Sequence, residues 1–318
     1  MAVTFVHGGP DALGVPLFDF STNSNACGPC PHALAAVQQA DATRYPDPQY
    51  TALRAQLADF HGVDAARVLL AASASEFIHR ISAWHRGQGV CLPQHHYGDY
   101  AQAAQAWGLV AADAQCAQLL WACEPSSPLG QAHPDVAALV DGLQAHQSVV
   151  LDCAYAPLRL EGAPSLDAAH MDRVWQMWTP NKALGLTGIR AAYVIAPLGV
   201  DIAPLQALCP SWPVGAHGVA MLQAWCQPAS QHWLAQSLVT LRAWKARQTI
   251  LCLTLGWECL PSTANFFCAR PPGEDLGLRL QRLRARGVKL RDATSFGLPG
   301  YVRLGVLPPG AQDALGRG

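Results

Sequence analysis

Short apolar segments alternate with segments of helical periodicity through the middle of the chain. The segments of strand length and composition are Val68–Ala72, Val90–Leu92, Leu119–Ala122, Ser148–Asp152, Val174–Trp178 and Ala191–Ala196. The helical patterns between them are Ser73–His85, Tyr97–Trp107 and Pro134–Gln147. This alternation predicts a mostly parallel sheet that helices cover on both faces. Such sheets bind ligands at the carboxyl ends of their strands.

The pattern differs at both ends of the chain. Residues 1–30 are rich in Gly, Pro, Asn and Ser and indicate an extended arm. Helical patterns follow at Pro31–Gln39 and Pro48–His61 and cover much of 201–256. A smaller α+β unit is indicated by strand-like Asn265–Ala269, helical Asp275–Arg286, and strand-like Val288–Arg291 and Tyr301–Val306. We therefore expect an arm over 1–30, a large domain over 31–215 and a small C-terminal domain over 216–318.

Composition narrows the classes of function. Of the 318 residues, 51% are hydrophobic and 14% charged, which is typical of a globular chain. The formal net charge of −1 provides no electrostatic footprint for nucleic acid or an anionic membrane. No apolar run has the length of a membrane span, and the first residues lack a basic region followed by an apolar stretch. We expect a cytoplasmic location.

The eleven cysteines lie mostly inside apolar segments, where a free thiol behaves as a small hydrophobic group. Cys27-Gly28-Pro29-Cys30 has the spacing of a redox motif, but turn residues precede it and Pro31 follows. A thioredoxin-like unit needs a strand before the motif and a helix after it, so redox chemistry is disfavoured. We expect no metal site.

One lysine lies in a glycine-punctuated loop between two strand-like segments, in the stretch Thr179 to Arg190. Lys182 in that loop can form an imine with an aldehyde, and Arg190 can hold a phosphate with two hydrogen bonds. The alternative is a surface loop with two solvated cations.

Residues upstream favour the chemical interpretation. Asp152 ends an apolar strand and can pair with a protonated ring nitrogen, with Tyr155 near enough to donate to a phenolate. The helix start at Ser73-Ala74-Ser75 offers free N–H groups to an anion. Tyr97 and Tyr100 can stack on a ring. The structural alternatives are an aspartate that caps a helix, an ordinary N-cap and packed aromatic rings. Together these residues are the set that pyridoxal phosphate needs.

With these motifs the chain resembles the fold-type-I pyridoxal-phosphate enzymes of the histidinol-phosphate aminotransferase group. Within that group it most resembles the L-threonine-O-3-phosphate decarboxylases of cobalamin biosynthesis. Two stretches carry the second resemblance, His7-Gly8-Gly9 with Asp19 to Asn25 in the arm, and Leu290-Arg291-Asp292 with Ser295 to Pro299. The resemblance implies an α/β fold, with a mostly parallel central sheet sandwiched by helices in a large pyridoxal-phosphate-binding domain and a smaller C-terminal α+β domain.

The same resemblance implies roles for individual residues. Lys182 would carry the cofactor as an imine, with Asp152 and Tyr155 completing the catalytic set. The cofactor-binding residues would be Ser73, Ala74, Ser75, Tyr97, Ser127, Asp152, Tyr155, Thr179, Lys182 and Arg190, with Tyr45 reaching the neighbouring site of a homodimer. The substrate-binding candidates are His7, Asn25, Arg291 and Arg303. The alternatives are turn residues in the arm and a surface arginine in a basic stretch.

Two departures from the family pattern bear on activity. The asparagine that usually bonds the ring oxygen is Ser127 here, which is shorter, and the phosphate turn reads Ala71-Ala72-Ser73-Ala74-Ser75. The resemblance implies decarboxylation of L-threonine O-3-phosphate, a small phosphorylated amino acid, to (R)-1-amino-2-propanol O-2-phosphate. One alternative is an aminotransferase such as histidinol-phosphate aminotransferase. A second is a catalytically impaired partner protein that keeps the fold.

Overall fold

A computed structural model describes residues 7–273 and 275–317. Its strands are β1 (Phe18–Asp19), β2 (Val68–Ala71), β3 (Gly89–Cys91), β4 (Val110–Ala111), β5 (Leu119–Cys123), β6 (Ser148–Asp152), β7 (Trp175–Trp178), β8 (Ala192–Ile195), β9 (Glu258–Cys259), β10 (Phe266–Arg270), β11 (Val288–Lys289), β12 (Arg291–Asp292) and β13 (Val302–Gly305). Its helices are α1 (Pro31–Gln38), α2 (Thr51–His61), α3 (Ala74–Trp84), α4 (Gly98–Trp107), α5 (Val136–Asp141), α6 (Ala168–Met171), α7 (Ala203–Ala207), α8 (Ala216–Trp225), α9 (Pro228–Thr254), α10 (Leu276–Ala285) and α11 (Pro309–Gly316).

The central sheet has the strand order β2-β8-β7-β6-β5-β3-β4. Strands β4, β3, β5, β6 and β7 pair in parallel, whereas β8 runs antiparallel to both β7 and β2. The predicted α/β class with a mostly parallel central sheet is confirmed, and β8 is the strand that runs against the others. The reason is the connection, because a crossover helix would be needed to return the chain parallel and only the loop that carries the lysine separates β7 from β8.

Apolar side chains fill both faces of this sheet. One cluster lies between the sheet and helices α3 and α4, and includes Phe77, Tyr100 and Trp175. Another lies on the side of α1, α2 and α8 and includes Leu57 and Tyr193. These clusters fix the strands whose carboxyl ends carry the polar side chains described below.

The C-terminal part forms a separate four-stranded sheet of order β12-β13-β10-β9. The long helix α9 and the last helix α11 pack together beside it. Strand β1 of the arm pairs in parallel with β11, so the arm is attached to this smaller unit. The domain boundaries predicted at 30 and 215 remain a proposal; helix α8, just beyond 215, packs against α1 and α2.

Two predicted elements differ from the structure. The helix predicted over Pro134–Gln147 is only α5, because Asp135 lies in the left-handed region with φ +53° and Gly142 ends the helix. The strand predicted over Val288–Arg291 is divided into β11 and β12, which belong to two different sheets. Within the described residues, no helix is both long and apolar enough to cross a membrane.

Candidate active site

A cavity of about 420 Å³ lies at the carboxyl ends of the central strands, between the large sheet, the arm and the smaller sheet. Most of the site residues predicted from the sequence line it. They are His7, Ser73, Ala74, Ser75, Tyr97, Ser127, Asp152, Tyr155, Thr179, Lys182, Arg190, Arg291 and Arg303. Residues separated by almost three hundred positions in the chain therefore share one cavity.

The loop that presents Lys182 is held by backbone contacts with the arm. The carbonyl of Lys182 accepts a hydrogen bond from the N–H of Asn25 at 2.9 Å, and the carbonyl of Leu184 accepts one from Cys30 at 2.8 Å. A side chain at Gly185 would come within 3.1 Å of the Cα of Gly28, and Gly185 has φ +69°, so glycine is required for this approach. The lysine Nζ lies 5.4 Å from the centroid of the Tyr155 ring.

Asp152 is a buried carboxylate at the end of β6. One oxygen accepts a hydrogen bond from the Tyr100 hydroxyl at 2.6 Å, and the other accepts one from the N–H of Ala154 at 2.9 Å. Burial raises the pKa of Asp152, while the hydrogen bond from Tyr100 opposes that rise. A carboxylate held in this way at the cavity wall can pair with a protonated ring nitrogen.

The other end of the cavity is suited to an anion. Ser73 caps α3 by accepting a hydrogen bond from the N–H of Glu76 at 3.1 Å, and the first N–H groups of the helix lie at the cavity. Arg190 lines the same end. The hydroxyl oxygen of Thr179 is buried and has no hydrogen-bond partner among the described residues, so it is available to a bound group. These donors match the phosphate of a cofactor.

Two buried arginines project from neighbouring strands of the smaller sheet. Arg291 and Arg303 are direct partners in the register of β12 and β13. Their guanidinium groups lie 4.7 and 5.3 Å from the centroid of the Phe296 ring. Arg291 donates to the Asp292 carbonyl and to the Ser295 hydroxyl, and burial together with Arg303 lowers its pKa to about 10.

No carboxylate among the described residues forms an ion pair with either arginine. Arg303 donates to the Ser127 hydroxyl at 3.3 Å and to the Ser21 carbonyl at 3.2 Å. A buried cation without a counter-ion is costly. Two adjacent ones make this side of the cavity positively charged and suited to a second anion. The His7 ring lies at the rim, 6.5 Å from that of Tyr97.

Two predicted residues lie outside the cavity. Asn25 is buried behind the lysine loop, where its amide donates to the Ala183 carbonyl and the Ser237 hydroxyl. Tyr45 is 78% exposed and stacks on Trp212 with ring centroids 4.5 Å apart. Its predicted role in a neighbouring subunit's site remains a prediction.

Sequence reasoning missed several residues that line the cavity. Asn23, rather than the predicted Asn25, lines the cavity. Ser295 accepts a hydrogen bond from Arg291, and the Phe296 ring packs against the arginine pair. The Asn23-Ser24-Asn25 stretch was a signal, but in an irregular segment the pattern does not say which amide faces the cavity. From the sequence, Tyr100 is only a stacking or packing residue, because its hydrogen bond to Asp152 depends on the fold.

This combination of a mixed α/β sheet, a loop lysine, a buried strand-end aspartate and a helix N-terminus defines the class of fold-type-I pyridoxal-phosphate enzymes. The model of the family "Aminotransferase class I and II" matches residues 15–117 and 109–315. The chain belongs to that family.

Individual relatives give the same family context. Histidinol-phosphate aminotransferase of Jannaschia sp. (strain CCS1) is 29% identical over 91% of this chain and 86% of its own length. The enzyme of that name from Ruegeria pomeroyi is 28% identical over 90% and 85%.

Solved structures show the same fold. The histidinol-phosphate aminotransferase of Sinorhizobium meliloti in complex with pyridoxal-5'-phosphate has a TM-score of 0.84 at 23% identity, covering 99% of this chain and 94% of that one. The L-threonine-O-3-phosphate decarboxylase of Porphyromonas gingivalis has a TM-score of 0.79 at 20% identity, covering 95% and 98%.

Proposed function

We propose that this protein is a pyridoxal 5'-phosphate enzyme that transfers the amino group of a small phosphorylated substrate, as a histidinol-phosphate aminotransferase does. The observation that supports this proposal most is that Lys182 and Asp152 line one cavity, together with Arg190 and the start of α3 and with the pair Arg291 and Arg303. The curated relatives named above support amino transfer rather than the decarboxylation that the sequence resemblance implied.

The residues present fit the cofactor. Asp152 would hold the proton of the ring nitrogen, Tyr155 would donate to the ring oxygen, and Tyr97 would lie against the ring. The N–H groups at the start of α3, with Thr179 and Arg190, would hold the phosphate. The unpartnered Thr179 hydroxyl is the structural feature that such a phosphate would satisfy. When bound, the cofactor supplies an aldehyde for an amino group and a ring that withdraws electrons from the bonds at Cα.

The side chains of this protein would then determine the reaction. Lys182, whose side chain lines the cavity, would remove and return the proton at Cα. Arg291 and Arg303 would hold the negative groups of the substrate and fix which bond at Cα is perpendicular to the ring. If the C–H bond at Cα breaks, the substrate undergoes amino transfer. If the bond from Cα to the carboxylate breaks, the substrate loses carbon dioxide.

A second candidate is the decarboxylation of L-threonine O-3-phosphate. It is favoured by the adjacent guanidinium groups of Arg291 and Arg303, because that substrate carries both a carboxylate and a phosphate. His7 at the rim and the similarity to the Porphyromonas gingivalis structure are consistent with it.

Product analysis separates the two candidates. The protein loaded with pyridoxal 5'-phosphate is mixed with histidinol phosphate and 2-oxoglutarate, or with threonine phosphate alone. Glutamate formed from the first mixture supports amino transfer. Carbon dioxide released from the second, without any keto acid, supports decarboxylation. Lys182→Ala is expected to abolish the visible absorbance of the bound cofactor and the formation of glutamate or carbon dioxide. A wild-type protein that shows no such absorbance would contradict both candidate functions.

We also propose that the protein is a cytoplasmic homodimer. The stacked and exposed rings of Tyr45 and Trp212 are a surface that a second copy would cover. Light scattering of the purified protein tests the dimer, and a monomer that binds cofactor with full affinity would contradict the role of Tyr45.

A further inference from the structure

The arm contributes a polar side chain to the catalytic cavity. The amide of Asn23 donates a hydrogen bond to the Tyr155 hydroxyl at 3.2 Å, and the two residues are 3% and 7% exposed. Both line the cavity. A phenol hydroxyl can accept one hydrogen bond and donate another. Among the described residues, no atom accepts a hydrogen bond from the Tyr155 hydroxyl. The bond from Asn23 therefore leaves that proton free to point into the cavity.

The main chain of Asn23 is held by two other parts of the molecule. Its carbonyl accepts a hydrogen bond at 3.1 Å from the amide of Asn265, a fully buried residue just before β10. Two residues further on, Asn25 bonds to the backbone of Lys182 and Ala183. These contacts fix the main chain of Asn23 relative to the smaller sheet and the lysine loop. The side-chain Oδ1 of Asn23 is buried without a hydrogen-bond partner among the described residues, so the bond to Tyr155 orients the amide.

The nearby hydroxyl of Ser127 has a different partner. It accepts a hydrogen bond from Arg303 at 3.3 Å and keeps its own proton, but the serine side chain is shorter than the asparagine of the family pattern and reaches less far into the cavity. Tyr155 is therefore the main candidate to donate to the ring oxygen of the cofactor. The orientation of the Tyr155 hydroxyl therefore matters more here than in a site that has the asparagine of the family pattern in place of Ser127.

We propose that Asn23 is a positioning residue that orients the Tyr155 hydroxyl toward the ring oxygen of the bound cofactor. This inference rests on the proposed function, since it takes pyridoxal 5'-phosphate as the occupant of the cavity. A donated hydrogen bond stabilises the negative charge on the ring oxygen, so it favours the deprotonated form of the cofactor-lysine chromophore. Removing it raises the pH at which the visible absorbance titrates.

The test is a pH titration of the visible absorbance of the loaded protein. Asn23→Asp keeps the shape of the side chain but offers only acceptors, so it takes the Tyr155 proton away from the cavity. We expect its titration midpoint to rise by about one pH unit, the scale set by losing a hydrogen bond to a charged group. Asn23→Ser is expected to give a smaller rise.

The Asn23→Asp substitution is also tested in a Tyr155→Phe variant, which lacks the hydroxyl. If Asn23 acts through Tyr155, then the shift caused by Asn23→Asp becomes much smaller once the hydroxyl is gone, because only the charge of the introduced carboxylate still acts on the midpoint. Ser24→Ala changes the next arm residue, which also lines the cavity but forms no hydrogen bond to Tyr155 among the described residues, and it is expected to keep the wild-type midpoint. Thermal unfolding of each variant shows whether it is folded.

The two proposals fail differently. A wild-type protein with no visible band on addition of the cofactor would overturn the proposed function. A normal band whose midpoint is the same in folded Asn23→Asp as in wild type would overturn only the role of Asn23. An equal shift in the presence and absence of the Tyr155 hydroxyl would also overturn it.

Discussion

At the scale of single residues, the environment of Asp152 is set by its partner on α4. Tyr100 is fully buried, stacks on Trp121 with centroids 4.2 Å apart, and has a pKa raised well above its ordinary value by burial. It therefore remains a hydrogen-bond donor to Asp152 at every physiological pH. The pair keeps a buried carboxylate in a fixed orientation.

Tyr100→Phe is expected to lower the free energy of unfolding of the cofactor-free protein by about 1–3 kcal/mol at pH 7.5, because a buried carboxylate loses a donor. The pKa of Asp152 is already raised in the fold, so its ionised form opposes folding at neutral pH and its protonated form does not. The stability difference between variant and wild type should therefore shrink as the pH falls. Urea unfolding at pH 7.5 and pH 4.5 measures it, and a difference that is independent of pH would contradict the pairing.

The sequence predicts the site unevenly at this scale. Lys182, Asp152 and Arg190 could be found because each follows a recognisable strand or lies in a glycine-punctuated loop. Asn23 could not be distinguished from Asn25, because the irregular arm has no periodicity that assigns side chains to a face. A contact such as that between Tyr100 and Asp152 depends on packing between distant segments.

At the scale of elements, the hydrophobic pattern predicts six of the seven strands of the central sheet and misses β4, a two-residue edge strand whose side chains are exposed. The pattern does not give the direction of the strands, which depends on the length and content of the connections. The segment between β7 and β8 contains no helix long enough for a crossover, so β8 returns antiparallel. The sequence predicts a longer helix than α5, because the apolar pattern does not reveal the positive φ of Asp135 before the helix.

The loop after β5, which carries Ser127, is supported by one buried ion pair. Arg159 donates to Glu124 at 2.6 Å, and the N–H of Ser165 donates to the same carboxylate oxygen at 2.9 Å. Both charged side chains are almost fully buried, at 10% and 4% exposure. The pair ties the Ser127 loop to the segment that follows Tyr155.

Arg159→Met is expected to reduce the free energy of unfolding by about 3–5 kcal/mol, because it leaves the Glu124 carboxylate buried without its counter-ion. The double variant Arg159→Met with Glu124→Gln removes both charges and should recover much of that loss. Urea unfolding of the two variants provides the measurement. A double variant less stable than Arg159→Met alone would contradict the explanation.

At the scale of the whole molecule, the cavity is completed by three separate parts of the chain. The central sheet provides Asp152 and Lys182, the smaller sheet provides the arginine pair, and the arm closes the rim with His7. The sequence predicted the arm as extended. Its return over the cavity depends on Gly8, where any side chain would collide with the Ser21 carbonyl at 2.2 Å.

The arm is fastened to the smaller unit by charged contacts at its tip. Asp11 forms ion pairs with Arg284 at 2.9 Å and with Lys289 at 2.8 Å. Arg284, followed by Lys289, holds the pKa of Asp11 well below its ordinary range. The carboxylate is therefore ionised throughout the neutral range, and acid must protonate it before the contact is lost. Lys289 also donates to the carbonyl of Gly9, next to the cavity rim.

Asp11→Asn is expected to loosen the arm without removing a residue of the cavity. Hydrogen exchange of the backbone over residues 8–17 should become several-fold faster, and the KM for the phosphorylated substrate should rise while the visible cofactor band is unchanged. Since these charges are partly exposed, high salt screens them and the wild-type exchange rate at 1 M salt should approach that of the variant. Asp41→Asn, which removes another surface aspartate remote from the arm, serves as the matched control. Exchange in Asp11→Asn that equals the wild type at low salt would show that β1 pairing alone holds the arm in place.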